Sequence, residues 1–210
     1  MSLSKKGFWA IAIILLILIA DQVFKIWIKT HLALFDDIKI TDWFIIRFVE
    51  NNGMAMGIEL TGGKLFLTVF RIIASFLIAY YLYVLIKKHF KFSYIVFVSM
   101  IFAGAVGNII DSIFYGVIFS ESTPTHIAAL FPPEGGYGTW LHGRVVDMFY
   151  FPLFSFTWPG WIPIIGNTDF EFFRYIFNPA DASISIGIIV LILFYRKTFS
   201  FSLEKKNIEA

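Results

Sequence analysis

Apolar residues along this chain gather into four long stretches separated by polar or aromatic-rich segments. The first runs from about Gly7 to Ile28, the second from Leu65 to Ile86, the third from Tyr94 to about Phe119 and the fourth from Ala182 to Tyr195. Crossing a hydrocarbon core of ~30 Å takes roughly 20 helical residues. The fourth stretch reaches that length only when Pro179–Asp181 form its first turn, giving a span of about 179–196. The predicted architecture is an α-helical polytopic membrane protein with four transmembrane helices and a small β-rich periplasmic or outer-face subdomain. It forms one domain over 1–210, with outer-face loops at 29–64 and 120–178. The first stretch follows Lys5 and Lys6, as a signal peptide would. No small-residue cleavage site comes after it, however, and Asp21-Gln22 interrupts its end, so a retained helix is expected.

Lysine and arginine set the orientation. They accumulate at the N-terminus (Lys5, Lys6), in the short second connection (Lys87, Lys88, Lys91) and in the tail (Arg196, Lys197, Lys205, Lys206). Both termini and the second connection are therefore expected in the cytoplasm. In that arrangement Asp21 and Lys25 fall near the outer end of span one, and Arg71 in the outer half of span two. Asp111 lies ~25 Å along the third helix from Tyr94, and Asp181 starts the fourth. The topology alone predicts a polar cluster just beneath the outer surface. An ionisable group at membrane depth is costly and marks a functional site by default.

The outer loops are more than linkers. Lys39–Glu50 (KITDWFIIRFVE) reads as strand followed by a turn at Asn51-Asn52-Gly53, and Trp140–Tyr150 and Phe151–Trp161 are also aromatic and β-prone. A small sheet resting on the outer membrane surface is expected, with Trp43, Trp158 and Trp161 at the interface.

Composition narrows the chemistry. The chain is 58% hydrophobic and 15% charged, which excludes an ordinary soluble domain. It contains no cysteine, so disulfides, thiolate metal sites and a cysteine nucleophile are excluded. A net charge of +2 without a long basic tract gives no reason to expect nucleic acid. No HExxH or Gly-x-Ser-x-Gly pattern occurs, and His126 and His142 have no second ligand at a recognised spacing. Neither a metal nor another cofactor is expected.

Each polar constellation has a plain reading and a chemical one. Asp21 and Lys25 are spaced i, i+4, fit for an ion pair that ties span one to its neighbours. Gly104, Gly107, Asn108 and Asp111 combine small residues suited to close helix packing with two polar groups that packing does not explain. Asn178-Pro179-Ala180-Asp181 is a well-formed helix start, yet it also brings a carboxylate to the hydrocarbon boundary. Asp147 ends the run His142-Gly143-Arg144-Val145-Val146 amid aromatic residues. Asp147 and Asp181, from different elements at one interface, suit an aspartic protease in which close carboxylates share a proton. The same residues equally permit a proton relay in a small proton-coupled carrier. A carrier should show a repeat or a helix broken at the midplane; neither is visible, and the acids gather at one face.

Taken in order, these motifs resemble the lipoprotein signal peptidases (signal peptidase II). The resemblance rests on Asp21-Gln22 with Lys25, Asn51-Asn52-Gly53-Met54-Ala55-Met56-Gly57, Gly104 to Asp111, Val145-Val146-Asp147-Met148 and Phe177-Asn178-Pro179-Ala180-Asp181. It implies an intramembrane aspartyl endopeptidase of the bacterial cytoplasmic (inner) membrane. Such an enzyme removes signal peptides from diacylglyceryl-modified prolipoproteins, cleaving before the lipidated cysteine. By the same resemblance Asp147 and Asp181 are the catalytic pair, and Asn51, Gly53, Asn108, Asp111, Arg144 and Asn178 bind substrate. Asp21 and Lys25 are the stabilising pair. Membrane lipids are expected partners, globomycin-type compounds are expected inhibitors, and the protein is expected to be a monomer. Two departures stand out: Ser112 occupies a position where the family usually has arginine, and 112–143 is far longer than the family's connection. Arg144 is the candidate replacement for that arginine, and the insertion is expected to form an extra outer loop over the site entrance.

Overall fold

The computed structural model describes residues 2–52 and 63–207, with side chains through residue 202. Gly53 and the Met54–Gly57 part of its motif lie outside the described residues. The uninterrupted apolar run of span one forms helix α1 (Leu3–His31), and a chain turned extended at Leu32 ends it. Strands β1 (Asp37–Thr41) and β2 (Phe44–Asn51) follow, then helices α2 (Gly63–Lys87) and α3 (Phe92–Ile110). A π-helical turn (Asp111–Tyr115) and the short α4 (Gly116–Ile118) prolong α3. The remaining elements are β3 (Val145–Tyr150), β4 (Phe154–Thr157), β5 (Asp169–Phe172), β6 (Ile176–Phe177), α5 (Pro179–Phe194) and α6 (Arg196–Asn207).

Among the described residues three helices are long and apolar enough to cross a membrane: α1, α2 and Phe92–Ile118. A fourth crossing needs α5 and α6 together, and these meet at 92°. Pro179–Asp181 do form the first turn of α5, as its capping sequence requires.

Helix α3 is the hub, packed against α5, α1 and α2. Its small residues permit this. A Cβ on Gly104 would lie 2.3 Å from the Ala180 carbonyl oxygen, and one on Gly107 would lie 2.7 Å from Asp21 Oδ2. Backbone approach of this kind substitutes for the hydrophobic drive that lipid does not supply.

The segments between the long helices form an antiparallel sheet in the order β1-β2-β3-β6, with β4 and β5 as a separate hairpin. The expected single strand over Lys39–Glu50 is in fact two. Asp42 and Trp43 turn the chain between β1 and β2, because the apolar alternation is broken there by Thr41-Asp42. Phe48, Val146 and Met148 share the buried face of the sheet with Ile28, Tyr115 and Phe119. Since neighbouring residues of a strand face opposite ways, Asn51 and Asp147 point to the other face. The insertion does not simply roof that second face. Its Phe119, Ser122 and Tyr137 back the buried one.

Candidate active site

Asn178 caps α5 in the manner its sequence dictates. Its Oδ1 accepts from the Asp181 backbone N–H at 2.9 Å, and Asp181 Oδ2 accepts in return from the Asn178 N–H at 3.4 Å. The cap leaves two groups available. Asn178 Nδ2 donates to Asp147 Oδ1 at 2.7 Å and to Asn108 Oδ1 at 3.1 Å, while Asp181 Oδ1 accepts from Asn108 Nδ2 at 2.8 Å. Asn51 Nδ2 lies 3.3 Å from the second oxygen of Asp147. The helix-start reading of Asp181 holds, and the residues that start α5 also join the two carboxylates through a pair of amides.

One lysine fixes the orientation of that amide chain. Lys25 is fully buried and can only donate. It reaches Asn108 Oδ1 at 3.0 Å, so the NH2 of Asn108 must face Asp181. The same ammonium lies 2.9 Å from both Asp21 Oδ2 and Asp111 Oδ2. Each of these buried acids in turn accepts a backbone N–H from the residue just before one of the site aspartates. Asp21 Oδ1 takes Ala180 N at 3.0 Å, and Asp111 Oδ2 takes Val146 N at 3.2 Å. Lys25 thus holds Asp181 and Asp147 by two matching arms. Gln22 closes the cluster, donating to Asp21 and Asp111 at 3.0 Å each and accepting from Tyr115.

Burial sets the two aspartates apart. Burial, followed by the negative charge of Asp181, pushes the Asp147 carboxyl up to about 7; hydrogen bonds from Asn178 and Asn51 and the charge of Lys25 oppose the rise. Asp147 is buried within β3, whereas Asp181 is partly open. Arg71, on α2, lies within Coulombic reach of Asp181, Asp147 and Asp111.

The structure gathers Asp21, Lys25, Asn51, Asn108, Asp111, Asp147, Asn178 and Asp181 into one network. Arg144 is not in it. Its guanidinium bonds Glu50 and Glu121 at 3.0 Å each and stacks over Tyr137, on the sheet's buried side. The candidate replacement for the arginine missing at Ser112 thus lies away from the acids, and Asp111 is held by Lys25, Gln22 and the Val146 N–H. Sequence reasoning gave Gln22 no role of its own and passed over Tyr115 and Lys29. A signal for Lys29 was present: Asp21, Lys25 and Lys29 recur every four residues, one stripe of a helix.

Two carboxylates joined by amides at the start of a helix, among helices fit to cross a bilayer, define a membrane protein with an acid-pair site. Residues 13–197 match the family described as signal peptidase (SPase) II. A lipoprotein signal peptidase of Porphyromonas gingivalis is 52% identical over 93% of this chain and 86% of its own length. One from Amoebophilus asiaticus is 32% identical over 97% and 84%. Two solved structures of bacterial membrane enzymes share 26% and 27% identity with it. Each has a TM-score of 0.58 over 90% of this chain, covering 88% and 92% of the respective solved chains. The chain belongs to the signal peptidase II family and is thereby a peptidase.

Proposed function

We propose that removal of signal peptides from prolipoproteins, the activity that family membership gives this chain, proceeds by aspartyl hydrolysis at Asp147 and Asp181. The observation that carries the reading is the amide bridge: Asn178 on Asp147 and Asn108 on Asp181, with Asn178 and Asn108 bonded to each other. It presents two carboxyl groups of different environment to one place. Water attacks the scissile carbonyl and loses a proton to Asp181. Asp147, with its raised pKa, donates a proton to the carbonyl oxygen. Collapse of the tetrahedral intermediate passes a proton to the departing amine and restores the pair. The substrate is a diacylglyceryl-modified prolipoprotein cut before its lipidated cysteine, with Asn51, Asn108, Asp111 and Asn178 lining the site.

Asp147→Asn and Asp181→Asn test this directly. Each should abolish cleavage of lipid-modified precursor by the purified protein while leaving precursor binding. Loss of either should cost nearly as much as loss of both, because members of a catalytic unit are non-additive. Normal cleavage by Asp181→Asn would reduce Asp181 to a helix cap and end the aspartyl reading.

The enzyme sits in the bacterial cytoplasmic membrane with four crossings. Both termini are cytoplasmic and the site lies near the outer face, as the lysine distribution supports. The absence of cysteine makes this simple to check. A single cysteine at Glu134 should react with an impermeant reagent on intact cells and one at Lys88 should not; the reverse pattern overturns the orientation.

A further inference from the structure

One buried charged cluster is unused by the chemistry above. Lys29, one turn beyond Lys25, is fully buried. Its ammonium pairs with Glu50, donates to Ser122 Oγ at 2.8 Å, and faces the rings of Phe48, Phe119 and Tyr137 with centroids at 5.9, 5.3 and 5.0 Å. The Glu50 side chain is only 3% exposed and gives its other oxygen to Arg144. The cluster therefore ties α1, β2, the residue preceding β3, and the insertion to one carboxylate.

Its place in the sheet matters more than its charge. Glu50 pairs across the ladder with Val146, and Asn51 with Val145. Glu50 and Val146 therefore share the buried face, while Asn51 and Asp147, each the next residue along its strand, share the site face. The ladder itself is a poor guarantee of that register: it is irregular between Ile46 and Val49, and Asn51 is the last residue of β2. A slip of one residue would turn Glu50 toward the site and Asn51 away from it. It would also separate Lys29 from its buried partner, which is strongly unfavourable.

We propose that Glu50 is a positioning residue for the acid pair: held by Lys29 and Arg144 on the back of the sheet, it fixes β2 against β3 so that Asn51 reaches Asp147 on the front. The proposal rests on Asp147 being catalytic. Arg144 contributes to the site through Glu50, not by touching the acids, and Ser122 and Tyr137 of the insertion close over the clamp.

The test is a double-mutant cycle on the full chain, using lipid-modified precursor as substrate. Glu50→Gln should lower kcat by roughly 10- to 100-fold, with KM little changed. It should also move the alkaline limb of the pH–rate profile upward. Asn51 donates to the ionised Asp147, so loss of that bond favours the protonated form. The other groups facing Asp147, namely Asp181 and Asn178 at the start of α5, Lys25 on α1 and Arg71 on α2, are the same in every variant. Asn51→Ala should give the same shift, and Glu50→Gln/Asn51→Ala should be no worse than Asn51→Ala alone. Additive losses overturn the proposal. So does a Glu50→Gln protein with wild-type kcat and profile in the molecules that fold. If Glu50→Gln does not fold, Lys29→Met/Glu50→Gln, which neutralises both ends of the pair, is held to the same outcomes. Full cleavage by Asp147→Asn would instead sink the acid-pair reading on which the clamp depends. Additivity alongside an inactive Asp147→Asn sinks the clamp alone.

Discussion

Replacing Lys25 by methionine should damage this protein more than any change at Asp21. Lys25 is the cation between two buried carboxylates, each 2.9 Å away, and it also sets the Asn108 amide. Lys25→Met leaves Asp21 and Asp111 facing each other without a counter-ion beside them. Breaking one buried pair costs about 3–5 kcal/mol, and here one substitution breaks two. Asp21→Asn, by contrast, leaves the Lys25–Asp111 pair neutral and keeps an oxygen for the Ala180 N–H. Asp21→Ala lies between: it spares the second pair but orphans that buried N–H, a loss of about 1–3 kcal/mol. The expected order of stability is wild type, Asp21→Asn, Asp21→Ala, then Lys25→Met, read as folded yield and apparent thermal midpoint in one detergent. The triple change Asp21→Asn/Lys25→Met/Asp111→Asn should recover part of the loss, because it removes the stranded charges along with the lysine. If Lys25→Met proves as stable as Asp21→Asn, the bridging role assigned to Lys25 is wrong.

Cleavage should fall as pH rises through about 7, where Asp147 loses the proton it gives to the carbonyl oxygen; a rate constant across pH 6–8.5 would contradict the assignment of acid to Asp147. Gly107→Ala should destabilise by about 1–3 kcal/mol. Its Cβ would meet Asp21 Oδ2 at 2.7 Å and the Ala180 Cβ at 3.2 Å, so a thermal midpoint equal to wild type would disprove the close α1–α3–α5 approach.

The parts of the site readable in the sequence are those carried by local spacing. Asp21 with Lys25, the cap of α5, and the small residues of α3 all act within a few positions, and the structure uses each as its spacing suggests. What could not be read depends on contacts distant in sequence. Nothing local announces that Lys25 also reaches Asp111, or that Asp21 and Asp111 accept the N–H groups of Ala180 and Val146. Arg144 looked suited to replace the arginine missing at Ser112 because it stands three residues before Asp147. Strand alternation and the nearby Glu50 and Glu121 carry it to the opposite face. The π-helical turn at Asp111–Tyr115 and the short β5 and β6 left no periodic signal long enough to recognise.

The insertion shows how a chain can lengthen beside the strand that carries Asp147 and still keep that strand's start anchored. Its beginning and its end are stitched together: the Gly138 N–H donates to the Gly116 carbonyl at 2.7 Å, and the Gly143 N–H to the Ser112 carbonyl at 2.8 Å. Gly143 fits there because it lacks a side chain, since a Cβ would fall 1.9 Å from the Asp111 carbonyl oxygen. Three residues later, Val146 donates to the Asp111 carboxylate and β3 is in register. The start of the strand that carries Asp147 is thus held directly against the π-helical turn. Loop length adds only slowly to the entropic cost once the two ends are held together. Ser112 suits this junction. Its hydroxyl folds back on the Asn108 carbonyl at 2.9 Å, while its carbonyl accepts the Gly143 N–H.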